Sequence, residues 1–316
     1  MTCSPQFLTI VCARPDRKGN KYAMLISLHE ALQYANKAGI AIAAVNVPYF
    51  EGLLAAIKVA EHAGTPMILQ HAQTHEDLMP LSEIGPVMRL LAARSQNPFV
   101  LHIDHATDID YVCSGIDLGF NSAMFDGSRL QFEENVKKTA EVVRMGRKDG
   151  FDVEGELGVV SGSEAGRSGD DITDGAMYTN ARQAREFVER TGITALAAAF
   201  GTRHGLYKQE PILNYQLIRD LSENAGAALV MHGGSGLSSS QYRLCIANGV
   251  RKINYYTYAA AAAAAAVTAA SRGDQVPNDA LFPSLALRAT EAVEANLSSF
   301  VAIVNKPPEV LPVAKV

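Results

Sequence analysis

The sequence predicts an α/β fold, a (β/α)8 TIM barrel with extra C-terminal helices. Three observations carry that expectation. Eight apolar runs of strand length recur along the chain, stretches of helical period separate them, and no GxGxxG follows the first run as it would in a dinucleotide-binding open sheet. A length of 316 residues suits such a barrel as one domain. Residues 1–316 therefore read as a single domain, with an N-terminal segment over 1–26 and a C-terminal helical extension over 273–316. No linker rich in Pro, Gly or Ser divides the chain.

The predicted strands are, in order, "IAIAAVNV" (Ile40–Val47), "PMILQ" (Pro66–Gln70), "FVLHID" (Phe99–Asp104) and "SAMFD" (Ser122–Asp126). "DVEGEL" (Asp152–Leu157), "ALAAAF" (Ala195–Phe200), "ALVMH" (Ala228–His232) and "VRKINY" (Val250–Tyr255) follow. Most are apolar almost throughout, as strands of a parallel sheet covered on both faces must be. Between them, stretches such as Gln131–Gly150 repeat apolar residues at helical spacing. Gly158–Asn180, after the fifth strand, is a long polar loop of the kind that usually serves function.

Composition narrows the function. Hydrophobic residues make up 48% and charged residues 19%, which fits a globular chain rather than a disordered one. A net charge of −5 without a long Lys/Arg run argues against a nucleic-acid partner. Cys3, Cys12, Cys113 and Cys245 are scattered and form no CxxC pair, so they read as reduced thiols of a cytoplasmic protein. "FLTIVCA" (Phe7–Ala13) is apolar but short and lacks a basic stretch before it, which argues against a signal peptide. The alanine run Tyr258–Ala270 falls short of the roughly 20 residues a membrane span needs and reads as a close-packed helix. No membrane partner is expected.

In such a barrel the chemistry sits at the C-terminal ends of the strands. Strand three ends in "HIDHA": side-chain alternation turns His102 and Asp104 to the barrel interior and Leu101 and Ile103 to the helices, while His105 falls where strand gives way to loop. His204 follows strand six and His232 ends strand seven. A single strand-end histidine is best read as a hydrogen-bonded structural group. Three of them on one face, with a fourth position open, make a catalytic zinc site. Asp104, beside a ligand, is either a general acid/base or a group that orients the ligand. Asp126 and Glu156 either hold a second cation or pair with Lys or Arg. His102 is a satisfied interior group or a partner of a ligand. His29 and His62 read as structural, and His71 and His75 fall in predicted helices or loops. Glu164, in the long loop, reads by default as a solvated charge. "HGGSG" (His232–Gly236) and "KINYYT" (Lys252–Thr257) occupy the usual phosphate site of the barrel, where glycine N–H groups meet a helix start.

In this order, "VNVP" (Val45–Pro48), "LHIDHA", "MFDGS", "VEGELG", "GTRHGLYK", "VMHGGSG" and "KIN" resemble the class II, zinc-dependent fructose- and tagatose-bisphosphate aldolases, over Ser27 to Thr257. The resemblance implies that His105, His204 and His232 bind zinc, and that Asp126 and Glu156 match a second, monovalent or divalent, cation site. It implies that Asp104 moves the proton at the C4 hydroxyl, that Asn254 contacts the enediolate, and that Glu164 lies where a mobile loop brings an acid to the substrate. Gly205, Lys208, Gly233, Gly234, Ser235 and Thr257 would hold the phosphate of dihydroxyacetone phosphate, with Asn46 also placed at the substrate. The implied partner is a small sugar phosphate, and the implied assembly a homodimer or homotetramer.

The sequence departs from the family at Tyr256 and Tyr258, which stand where the family usually has acids. Ala165 follows Glu164 where a second acid is common, and Ala72 occupies the position of a serine that helps hold the distal phosphate. A divergent, non-catalytic sugar-phosphate-binding relative, a metal-dependent hydrolase and a Schiff-base aldolase using Lys252 are the competing readings. The hydrolase lacks its usual H-x-H on the first strand, and the Schiff-base reading leaves the three histidines unexplained.

Overall fold

Eight parallel strands close on themselves in sequence order in the computed structural model, which describes residues 25–160, 162, 178–207, 209–271 and 281–307. They are β1 (Ile42–Asn46), β2 (Met67–Ala72), β3 (Phe99–Ala106), β4 (Ser122–Phe125), β5 (Asp152–Leu157), β6 (Ala195–Ala198), β7 (Ala228–Met231) and β8 (Val250–Tyr255). Pairing of β8 with β1, Asn254 opposite Ala44, closes the ring and leaves no edge. One helix follows each strand: α2 (Phe50–Ala63), α3 (Leu81–Arg94), α4 (Ile109–Asp117), α5 (Phe132–Asp149), α6 (Ala181–Thr191), α7 (Tyr215–Asn224), α8 (Ser239–Ala247) and α9 (Thr257–Ala270). Two helices are additional, α1 (Leu28–Ala38) before β1 and α10 (Phe282–Val304) at the C-terminal end.

Local chemistry fixes the helix ends. Ser27 and Glu30 form a reciprocal capping box at the start of α1, and Gly39 closes that helix in the left-handed conformation. Asn180 caps α6 and Ser238 caps α8. The alanine run forms α9 as expected, and α10 lies against both α9 and α2. No helix among the described residues is long and apolar enough to cross a membrane.

The apolar core has two parts. Leu101, Ile103, Val59, Phe187 and their neighbours fill the space between sheet and helices. Inside the barrel, Ile42, Ile68, Val100, Met124 and Val230 pack with Leu28 and Leu32 of α1. The Ile26 N–H donates to the Phe99 carbonyl, and the His29 N–H to Asp152, both at strand starts. So α1 plugs the N-terminal mouth and leaves the opposite mouth for chemistry.

Four strands differ from the expectation in ways that bear on the site. β6 and β7 end before Phe200 and His232, which sit at the strand–loop junction. β2 runs on to Ala72, so His71 is a strand residue facing the helices, where its Nε2 donates to the Met79 carbonyl. β3 continues through His105 to Ala106, and its register with β4 shifts between Ile103 and Ala106.

Candidate active site

That register shift builds the site. In a regular strand, Asp104 inside would force His105 outward. His105 instead takes φ = 46°, the left-handed region that residues with a Cβ seldom adopt. The bulge turns two consecutive side chains toward the same mouth, a recurrent device beside active sites. Such a backbone costs about 1–3 kcal/mol, which the surrounding contacts must offset.

The three strand-end histidines converge. His105 and His232 rings stand 4.6 Å apart by centroids, His105 and His204 5.0 Å, and His204 and His232 5.9 Å. One ring nitrogen from each lies within 4.8 Å of the others, and all three residues are buried. His105 Nδ1 is 3.0 Å from Asp126 Oδ2, and His232 Nε2 is 2.8 Å from Glu154 Oε1. With those outer nitrogens donating to carboxylates, the inner nitrogens, His105 Nε2 and His232 Nδ1, face each other as lone pairs over 2.8 Å. Two acceptors so placed repel unless a proton or a cation sits with them. Carboxylate-anchored imidazoles with converging inner lone pairs are the donor set a divalent metal takes.

The electrostatics place positive charge on the His105 side of this pair. Burial, then the neighbouring His105 charge, pushes His232 well below the ordinary imidazole range, so it is a neutral imidazole able to act as a ligand. Burial would also lower His105, but Asp104, Asp126 and Glu156 overcome it and hold that imidazole well above the usual value. Against the cost of burial, the His105 imidazolium first, then the neighbouring His232 ring, the Lys252 charge and the Asn46 amide, hold Asp104 below the usual carboxylate range, so it is ionised. Burial and the Asp126 charge push Glu156 well up. Asp126 and Glu156 with His105 form a second group able to hold a cation; among the described residues Asp126 meets His105 and Ser128.

Asp104 itself is fully buried between two amides. Asn46 Nδ2 donates to its Oδ2 at 2.8 Å and Asn254 Nδ2 to its Oδ1 at 3.1 Å. Below lies a polar layer whose part in the site the sequence reading did not identify. Glu154 Oε2 is 2.8 Å from Lys252 Nζ, and that ammonium also donates to Asn254 Oδ1 at 2.8 Å. His102 Nδ1 meets Ser122 Oγ at 2.7 Å, while its buried Nε2 stands 3.7 Å from Glu154 Oε2 without a hydrogen bond, so it is an interior group satisfied on one side only. Lys252 is fully buried and engaged on both sides, which argues against a Schiff-base role. The period-two spacing of Glu154 and Glu156 was the signal for this layer.

On the β6–β8 side the backbone forms a tight cradle. Gly233 has φ = 61°, and a Cβ there would stand 2.5 Å from the Arg203 carbonyl atoms. A Cβ on Gly234 would stand 2.7 Å from Ile253. Gly205 also takes a left-handed φ of 90°. Ser235 Oγ accepts the Tyr256 N–H at 3.0 Å, and Thr257 opens α9 beside it.

Residues 26–306 match the family model described as fructose-bisphosphate aldolase class-II. The chain belongs to that family. It is 34% identical over 238 residues to a probable fructose-bisphosphate aldolase of Bacillus subtilis, covering 74% of this chain and 81% of that one. The YdjI aldolase of Escherichia coli K12 superposes with a TM-score of 0.78 at 30% identity, over 90% of this chain and all of that one. A putative fructose-1,6-bisphosphate aldolase from Coccidioides immitis gives 0.78 at 28% identity, over 88% and 96%. The protein is a class II aldolase, a lyase.

Within this aldolase the expected site residues fall into three sets. His105, His204, His232, Asp104, Asn254, Asp126 and Glu156 come together at one mouth. Gly205, Gly233, Gly234, Ser235 and Thr257 border it on the β6–β8 side. Asn46, expected at the substrate, belongs with the first set, donating to the Asp104 carboxylate. Glu164 and Lys208 lie outside the described residues. Tyr256, in place of an acid, sets its ring 4.5 Å from His75, and Tyr258 covers Gly236.

Proposed function

We propose that this aldolase is a zinc enzyme that reversibly cleaves a phosphorylated ketose, fructose- or tagatose-bisphosphate-like, to dihydroxyacetone phosphate and an aldehyde. The observation that supports this best is the pair of carboxylate-anchored imidazoles whose inner lone pairs meet beside the ionised Asp104. His105, His204 and His232 would hold the metal, and Asp126 with Glu156 a second cation. When bound, the metal supplies Lewis-acid polarisation of the ketone and stabilises the negative charge that bond cleavage leaves on the ketone half.

The chain does the rest. Asp104 takes the C4 hydroxyl proton as the C3–C4 bond breaks, and returns it to the aldehyde oxygen in the reverse direction. Two amide donors fix both its oxygens, so it meets the substrate in one orientation. Asn254, held by Lys252, presents its amide between Asp104 and His232 toward the developing charge. The N–H groups of the Gly233–Ser235 turn, with Gly205, Lys208 and Thr257, bind the phosphate, and Glu164 comes to the substrate from the long loop. The reading includes a single barrel domain over 1–316, a cytoplasmic location and a homodimer or homotetramer.

Chelation tests the metal. Aldol cleavage should vanish with chelator, return with zinc and survive borohydride in the presence of substrate. Activity that persists without metal, or borohydride inactivation dependent on substrate, would exclude the zinc reading.

A further inference from the structure

The hydroxyl of Tyr207 bridges two loops that the chemistry needs at a fixed spacing. It accepts the Arg203 N–H at 3.0 Å and donates to the Gly233 carbonyl at 2.8 Å. Arg203 precedes His204 in the β6 loop; Gly233 follows His232 in the β7 loop. The two backbones touch here, since a Cβ on Gly233 would stand 2.5 Å from Arg203 carbonyl atoms. One phenol oxygen thus ties both imidazole-bearing loops together at the Gly233 turn. Its ring is partly buried, and burial raises the phenol to about 12, so it stays a donor across the working pH range. Nothing else in the proposed reaction calls for this tyrosine.

We propose that Tyr207 is a positioning residue. Its hydroxyl holds the Gly233 turn in register with the His204 loop, so that the phosphate donors keep their spacing to the reacting centre. The inference rests on the aldolase reading for the identity of the phosphate. It acts through binding of the phosphorylated half, since the proton-transferring Asp104 is held by Asn46 and Asn254 and by neither loop.

Tyr207→Phe removes the oxygen and keeps the ring. Calorimetric titration of the zinc-loaded protein with inorganic phosphate should show Kd raised about threefold to tenfold, the range of one lost hydrogen bond at a buried contact. KM for dihydroxyacetone phosphate should rise by the same factor while kcat stays within about twofold, the pattern of lost uniform binding. Metal content should match the parent. Unchanged Kd and KM would overturn the proposal. So would a parallel fall in metal content, kcat and melting temperature, which would make the hydroxyl a general structural bond. A parent protein that binds no inorganic phosphate overturns it as well. If the parent binds phosphate but cleaves no ketose phosphate, the substrate reading fails and the Kd comparison still decides the role of Tyr207.

Discussion

Asn46 donates its side-chain amide to Asp104 over 2.8 Å, and this buried carboxylate accepts from Asn254 on its other oxygen. An amide donor on each oxygen leaves Asp104 no freedom to rotate, and neither donor neutralises its charge. The carboxylate is therefore oriented and still basic. Replacing it by Asn should keep the fold and the metal, because His105 and His232 take their outer hydrogen bonds from Asp126 and Glu154. Cleavage should fall by about 10²–10⁴, the usual scale of general acid–base catalysis. Steady-state rates beside metal analysis of Asp104→Asn check this, and near-normal turnover would reduce Asp104 to a structural group.

Glu154 is expected to matter through His232. Its Oε1 fixes the imidazole tautomer while its Oε2 neutralises Lys252. Glu154→Gln should lower metal affinity by roughly 10–100-fold, as loss of an anchoring carboxylate does. It also strands a buried ammonium, a change that costs about 3–5 kcal/mol. The double variant Glu154→Gln/Lys252→Met separates the two effects: melting temperature should recover and metal affinity should not. Recovery of both would mean that Glu154 serves folding alone.

The barrel was legible because eight apolar runs and the helices between them repeat a single unit. The inward face of β3 was legible too, because alternation alone sends His102 and Asp104 to the interior. What alternation could not show is His105. A period of two points it outward, and only the bulge at φ = 46° returns it to the mouth. A bulge is set by packing against β4, which leaves no local mark in "HIDHA". The partner of Asn46 was hidden for a related reason: which buried carboxylate it meets, 58 positions later, is fixed by barrel closure. The role of α1 as the plug was equally hidden, since its amphipathic pattern does not say which mouth it covers.

Away from the site, Gly146 provides a stability test in which two effects oppose. It lies inside α5, where Ala is favoured over Gly by about 1 kcal/mol. A Cβ there, however, would stand 2.6 Å from the Phe151 carbonyl oxygen, a backbone atom that cannot swing aside. Forced overpacking costs about 1–3 kcal/mol. The clash should win, and Gly146→Ala should melt below the parent with kcat unchanged. A higher melting temperature would show that the α5–β5 connection yields easily.

Substrate range follows from what stands at the β2 end. Ala72 is fully buried and offers no hydroxyl, and Gln73 spends its carbonyl oxygen on the Thr107 N–H at 2.8 Å. The His75 and Tyr256 rings meet at 4.5 Å, tilted to each other, and the run Gln70–Met79 contains neither Lys nor Arg. A phosphate dianion gains most from charge-assisted donors, each about twice as strong as a neutral one. The opposite, β6–β8 side keeps its glycine cradle, so the phosphate of the ketone half retains its donors while that of the aldehyde half loses them. The aldolase should therefore condense dihydroxyacetone phosphate with glyceraldehyde and with glyceraldehyde 3-phosphate at kcat/KM values within about tenfold, a difference under about 1.4 kcal/mol. Measuring both aldehydes at equal ionic strength decides it. A much larger preference for the phosphorylated one would mean that a cation from another part of the chain, or from a second copy of it, reaches over the His75–Tyr256 wall.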